Sequence, residues 1–157
     1  MSDMDKLRRI AEALGKKGQR YWPAFPTPDL MGWLLHEGQC VYCGTNLIEI
    51  RSVTNALGTT DHLLPKRAYP ELENAPLNLV PCCTGCNGIK RNWDPNSGSP
   101  PLYDRNTDAG IKDEKTQREF IERAKKYVET KRTEREGEFP TDRAFWLEAV
   151  QKLKKSS

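Results

Sequence analysis

Thr59-Thr60-Asp61-His62-Leu63-Leu64-Pro65-Lys66-Arg67 and, after a loop, Leu77-Asn78-Leu79-Val80-Pro81-Cys82-Cys83-Thr84-Gly85-Cys86-Asn87-Gly88-Ile89-Lys90 decide how the chain is read. Residues 59–64 have strand character and Pro65 stops them. Residues 77–80 read as the partner strand, and a helix opening around 83–86 carries Asn87, Lys90 and Arg91. Asp61 and His62 are neighbours on a strand, so their side chains point to opposite faces unless the strand end bends. That separation suits one group holding a metal while the other addresses a water across a phosphate. The amide oxygen of Asn87, at the start of the helix, suits a hard cation beside a carboxylate.

Upstream, Cys40-Val41-Tyr42-Cys43 offers a second Cys-x-x-Cys to match Cys83 and Cys86. Each turn lets two thiolates bind one metal with little strain, and two turns complete a closed site of the structural zinc type. Gly44 and Gly85 suit tight knuckle turns. A redox pair would be expected on a thioredoxin-like βαβ pattern, which is lacking here. Cys82 is the ambiguous member. Using it in place of Cys83 gives a looser Cys-x3-Cys, so it is left as a spare, buried thiol.

Outward from this centre, residues 3–17 carry Met4, Leu7, Ile10, Ala11 and Leu14 on one helical face, with Ser2 or Asp3 as cap. Residues 21–28 hold three prolines and read as a stiff aromatic connector. Thr27 and Pro28 start a short helix to about Leu35. Residues 48–51 alternate like a strand, and 55–58 supply a turn. Residues 94–110 are a linker by composition. A long charged helix follows over 111–135, and Pro140 with Thr141 restarts a last helix bearing Phe145, Trp146, Ala149, Val150 and Leu153. The organisation expected is an N-terminal helical extension (1–37), a core (38–93), a linker (94–110) and C-terminal helices (111–157), forming one compact domain. Trp22, Trp33, Trp93 and Trp146 are expected as core anchors, and His36 as a surface residue outside the site.

Asp61-His62, Asn78 and Asn87-Gly88-Ile89-Lys90, framed by two Cys-x-x-Cys pairs, resemble an HNH endonuclease with the ββα-metal fold. The resemblance covers residues 38–93. It implies an α+β fold with a ββα-metal core flanked by helices, and a metal-dependent nuclease acting on DNA rather than RNA. By that match His62 is the general base, Asn78 holds the loop and orients the His62 ring, and Asp61 and Asn87 hold the catalytic ion. Asn87 stands where the name-giving pattern has a second histidine. This HNN form resembles the HNH domain of RNA-guided CRISPR nucleases, and it shifts the expected ion towards Mg2+ or Mn2+. A backbone carbonyl or carboxylate is expected to set the His62 tautomer. Lys90, Lys66, Arg67 and Arg91 are read as a basic rim for phosphates.

The bulk numbers agree with a small domain that needs help from a metal. The chain has 157 residues, a hydrophobic fraction of 36% and a formal charge of only +3, with a mean hydropathy of -0.78. A core this lean is reinforced by structural zinc. Near-neutral charge leaves nucleic-acid binding to local clusters. The odd count of five cysteines rules out pairing all of them within the chain and fits a reducing, intracellular compartment. No apolar run has membrane-spanning length. Two other readings stay open: a non-cleaving zinc-knuckle nucleic-acid-binding module, and a subunit of a larger nuclease complex that docks a protein partner through its C-terminal helices.

Overall fold

The computed structural model describes residues 3–18, 27–47, 58–98, 100–138 and 140–156. In chain order its elements are α1 (Asp3–Gly18), α2 (Thr27–Leu35), β1 (Gly58–His62), β2 (Leu79–Cys83), α3 (Thr84–Lys90), α4 (Glu114–Glu138) and α5 (Pro140–Lys155). The strand expected at 48–51, most of the turn at 55–58 and most of the aromatic connector lie outside the described residues, Trp22 included. Among the described residues the sheet is a single antiparallel pair, with Asp61 opposite Val80 and His62 opposite Leu79. The chain therefore mixes helix and strand, with a ββα order at its centre.

The return strand starts later than the apolar pattern predicts. Pro76–Asn78 forms a 3-10 turn, entered by the Asn78 N–H donating to the Ala75 carbonyl at 2.9 Å. Pro76 presets the φ such a turn needs, so β2 begins at Leu79. The helix α3 then follows with Cys83 at its N-cap.

Two backbone approaches seat α2 on the sheet. A Cβ at Gly32 would lie 2.1 Å from the Leu79 carbonyl oxygen, and one at Gly58 would lie 2.8 Å from the Trp33 ring. Both positions need glycine because backbone or indole occupies the side-chain space. Trp33 anchors the contact further by donating from Nε1 to Thr60 Oγ1 at 3.0 Å.

The main core gathers Tyr42, Leu47, Leu63, Leu64, Leu72, Val80 and Phe120, and a smaller cluster joins Ala11 of α1 to Leu30 and Met31 of α2. Along α4, Gln117, Phe120, Ala124 and Val128 are buried at helical spacing while Arg118 and Glu119 are exposed, as an amphipathic helix requires. Residues 94–110 are not a bare linker. Tyr103 is buried in the main core, and Asn96 Oδ1 accepts the backbone N–H groups of Leu102 and Tyr103 at 2.8 and 2.9 Å. Arg123 of α4 donates to the carbonyls of Pro95 and Pro100.

The tryptophans divide. Trp33 is buried, and Trp93 stacks on Tyr127 with ring centroids 4.4 Å apart. Trp146 does not anchor a core; it is 67% exposed, beside Phe145, Leu147, Val150 and Leu153 on an uncovered side of α5. Periodicity marks an apolar face but not what covers it. Among the described residues no helix is long and apolar enough to cross a membrane.

Candidate metal centre and adjoining cleft

The sulfur atoms of Cys40, Cys43, Cys83 and Cys86 all lie within 4.8 Å of one another. The knuckle at Cys40 closes through the Gly44 N–H donating to the Cys40 carbonyl, with Gly44 at a φ of 77°. The other pair spans the start of α3, where Cys83 Sγ accepts from the Cys86 N–H at 3.3 Å. Gly85 sits inside that helix, not in a left-handed turn. The Cys43 and Cys83 sulfurs are 3.8 Å apart. That separation matches the edge of a tetrahedron built on metal–sulfur bonds of about 2.3 Å. The donor set therefore fits a single metal ion such as zinc.

Cys82 stays outside this cluster. It is buried, and its thiol lies 3.2 Å from the Cys83 carbonyl oxygen. Hydrogen bonding from Cys82 and then Cys86 holds Cys40 far below the usual thiol range. The same bond to Cys40, together with burial, holds Cys82 far above it. Cys82 is thus a neutral thiol that donates to the Cys83 carbonyl beside the cluster.

One residue past Cys86, α3 delivers Asn87 to an open cleft of about 380 Å3 that it lines together with Asp61, His62, Lys66, Arg91 and Asn92. The alternation of β1 sends Asp61 inward and leaves His62 half-buried. His62 Nε2 lies 3.0 Å from the Glu73 carbonyl oxygen. A carbonyl only accepts, so Nε2 is the protonated nitrogen and Nδ1 of the neutral ring keeps its lone pair. The carbonyl expected to steer the tautomer is therefore that of Glu73.

Asn78, fully buried, fixes the loop that brings this carbonyl into place. Its Oδ1 accepts from the Leu64 N–H at 2.7 Å, and its Nδ2 donates to the carbonyls of Leu64 and Leu72 at 3.0 and 3.2 Å. Leu72 precedes Glu73, so the clamp ends one residue from the group that orients His62. The Glu73 carboxylate holds Lys66 at 2.6 Å, and that ion pair keeps Glu73 below the usual carboxylate range.

Lys90 needs correction. Read as a phosphate contact, it is 1% exposed, with Nζ 3.0 Å from Asp61 Oδ2 and 3.0 Å from the His62 carbonyl oxygen. Helical spacing from Asn87 put it on the cleft side, but the short helix rests on the sheet through this residue, and a buried carboxylate draws the cation inward. The Tyr42 hydroxyl donates to the same Oδ2 at 2.6 Å. Burial, then Asp61, pushes the Tyr42 pKa well up, so it remains a neutral donor. Both bonds fall on one oxygen, which leaves Oδ1 as the oxygen able to face the cleft.

Of the other basic residues, Lys66 and Arg91 line the cleft, while Arg67 is exposed beside Lys66 but not in the lining. His36 lies outside the cleft and is half-buried, with an Nε2 that has no hydrogen-bond partner among the described residues; burial lowers its pKa. Asp29, at the start of α2, has its pKa raised by burial, against opposing pulls from a Thr60 hydrogen bond and the His62 charge. Sequence reading missed Asp29, Tyr42, Glu73 and Asn92. Tyr42 had one signal, its place inside the first Cys-x-x-Cys.

The arrangement offers an imidazole, a carboxylate paired with a buried lysine, a side-chain amide and two exposed cations around one opening. No protein-family model matches the chain, and neither the curated proteins nor the solved structures return a significant match.

Proposed function

We propose that this chain is an HNH-type endonuclease that hydrolyses DNA phosphodiester bonds, using His62 as general base and a divalent ion held by Asp61 and Asn87. One observation carries the reading: the Glu73 carbonyl takes the Nε2 proton of His62, which in the neutral ring leaves the lone pair on Nδ1, and His62 lines the same cleft as Asp61 and Asn87. Nδ1 takes a proton from water, the water oxygen attacks phosphorus, and the bond to the 3′ oxygen breaks, that oxygen then taking a proton from solvent. An Mg2+ or Mn2+ ion supplies Lewis-acid stabilisation of the phosphate and the departing oxygen. Lys66 and Arg91 meet the flanking phosphates.

The buried Lys90 bears on the ion. It offsets the charge of Asp61, and Asn87 is neutral, so the protein alone gives a divalent cation little net attraction. Magnesium sites commonly combine one or two carboxylates with substrate phosphates, and here the DNA supplies the missing negative charge. The test is cleavage of supercoiled plasmid with Mg2+, with Mn2+ and with chelator. Ion-dependent nicking or linearisation is expected; intact plasmid under every ion, with retained DNA binding, supports the non-cleaving zinc-knuckle module instead.

The uncovered apolar side chains of α5 favour a second, compatible reading, in which the C-terminal helices dock a protein subunit that chooses the target. Under it, Trp146→Lys leaves plasmid cleavage by the isolated chain unchanged and abolishes co-purification with that subunit.

A further inference from the structure

The contact between α4 and the cysteine cluster is not required by any spacing rule. Arg132 Nη2 lies 3.1 Å from Cys86 Sγ. A guanidinium only donates, so the sulfur accepts, and a thiolate accepts best. Four thiolates around a divalent ion leave excess negative charge on the centre. Two of the other sulfurs have neutral partners: Cys83 the Cys86 N–H, and Cys43 the Thr45 hydroxyl at 3.1 Å.

Its position on the helix adds a second consequence. The buried face of α4 runs through Ala124 and Val128, and Tyr127 stacks on Trp93. Past that point Glu129, Thr130, Thr133, Glu134 and Arg135 are exposed, while Lys131 and Arg132 are half-buried, and of these two Arg132 reaches the cluster.

We propose that Arg132 is a positioning and charge-compensating residue of the four-cysteine metal centre, and that its bond to Cys86 fastens the last turns of α4 to the metal. Partners of metal ligands act this way elsewhere: they orient the ligand and tune its basicity, and their loss changes metal affinity by about 10–100-fold. The inference rests on the metal reading of the cluster and is independent of DNA cleavage.

The test loads wild type, Arg132→Gln and Arg132→Lys with Co2+ in place of Zn2+. In Arg132→Gln the sulfur-to-cobalt charge-transfer band moves to longer wavelength, because thiolate electrons lose a nearby cation. Metal passes to a chelator roughly ten times faster or more, and amide exchange across 129–135 speeds up. Arg132→Lys recovers part of the release rate and returns the band towards wild type. A destabilised but otherwise unrelated helix would speed exchange without moving the band. An unmoved band with unchanged release overturns the proposal alone, whereas a wild type that takes up no cobalt overturns the metal reading and this proposal together.

Discussion

The cysteine cluster and the Asp61–His62 cleft share a helix, with Cys86 facing one and Asn87 lining the other, yet they are built on opposite plans. The cluster is closed: four like atoms converge on a point, and the backbone turns of two Cys-x-x-Cys pairs are enough to bring them there. The cleft is open: its groups differ in kind, and two of them are set by partners from elsewhere, His62 by the Glu73 carbonyl, Asp61 by Tyr42 and Lys90. The two are joined as well as contrasted. Tyr42 sits between two cysteines of the cluster and holds a cleft carboxylate. A closed site can thus serve an open one by fixing its supports.

The largest effect expected from breaking the closed site is loss of the fold. On the metal reading of the cluster, Cys86→Ser removes a ligand of an ion that contributes folding free energy on the order of 10 kcal/mol; circular dichroism should show no cooperative melt, and a zinc-free variant that melts cooperatively contradicts the structural role. Next comes Lys90→Met, which strands the buried Asp61 carboxylate and costs about 3–5 kcal/mol in urea unfolding. Adding Asp61→Asn should recover most of that loss, and an additive pair would show the two are not coupled.

Tyr42→Phe deletes one hydrogen bond to a charged group, worth about 1.5–3 kcal/mol. Cleavage should fall while zinc content stays at wild type; a parallel loss of zinc would place Tyr42 with the cluster instead. The smallest effect concerns Asp29. Burial raises its folded pKa above the unfolded 3.8, so it favours the fold below that value, and this contribution is lost as pH rises through the folded pKa. Asp29→Asn should therefore raise Tm slightly at pH 7 and have little effect near pH 3, as thermal melts across that range would show.

The contrast also explains what was legible in the sequence. Spacing carried the closed site: Cys40, Cys43, Cys83 and Cys86 come together and Cys82 stays out, because short-range geometry dictates each pair. Local rules carried the helices from Thr27 and from Pro140, where a cap or proline acts on its own neighbours. They carried less of the cleft. The spacing of Asn87 and Lys90 is one helical turn, but whether that turn faces solvent or sheet depends on Asp61, far away in sequence. Trp146 misled for a related reason, since an apolar face says nothing about whether another element lies over it. The Glu73 carbonyl had no signal at all, because every residue offers one and only the fold selects which.

In the proposed reaction the ring of His62 removes a proton from water beside a cation held by Asp61 and Asn87. Its most direct test is the rate of plasmid cleavage in Mg2+ by His62→Ala, measured alongside zinc content and melting temperature. Cleavage should vanish, with the metal content and melt of the folded protein retained; cleavage at the wild-type rate by a folded, zinc-loaded His62→Ala protein would contradict it.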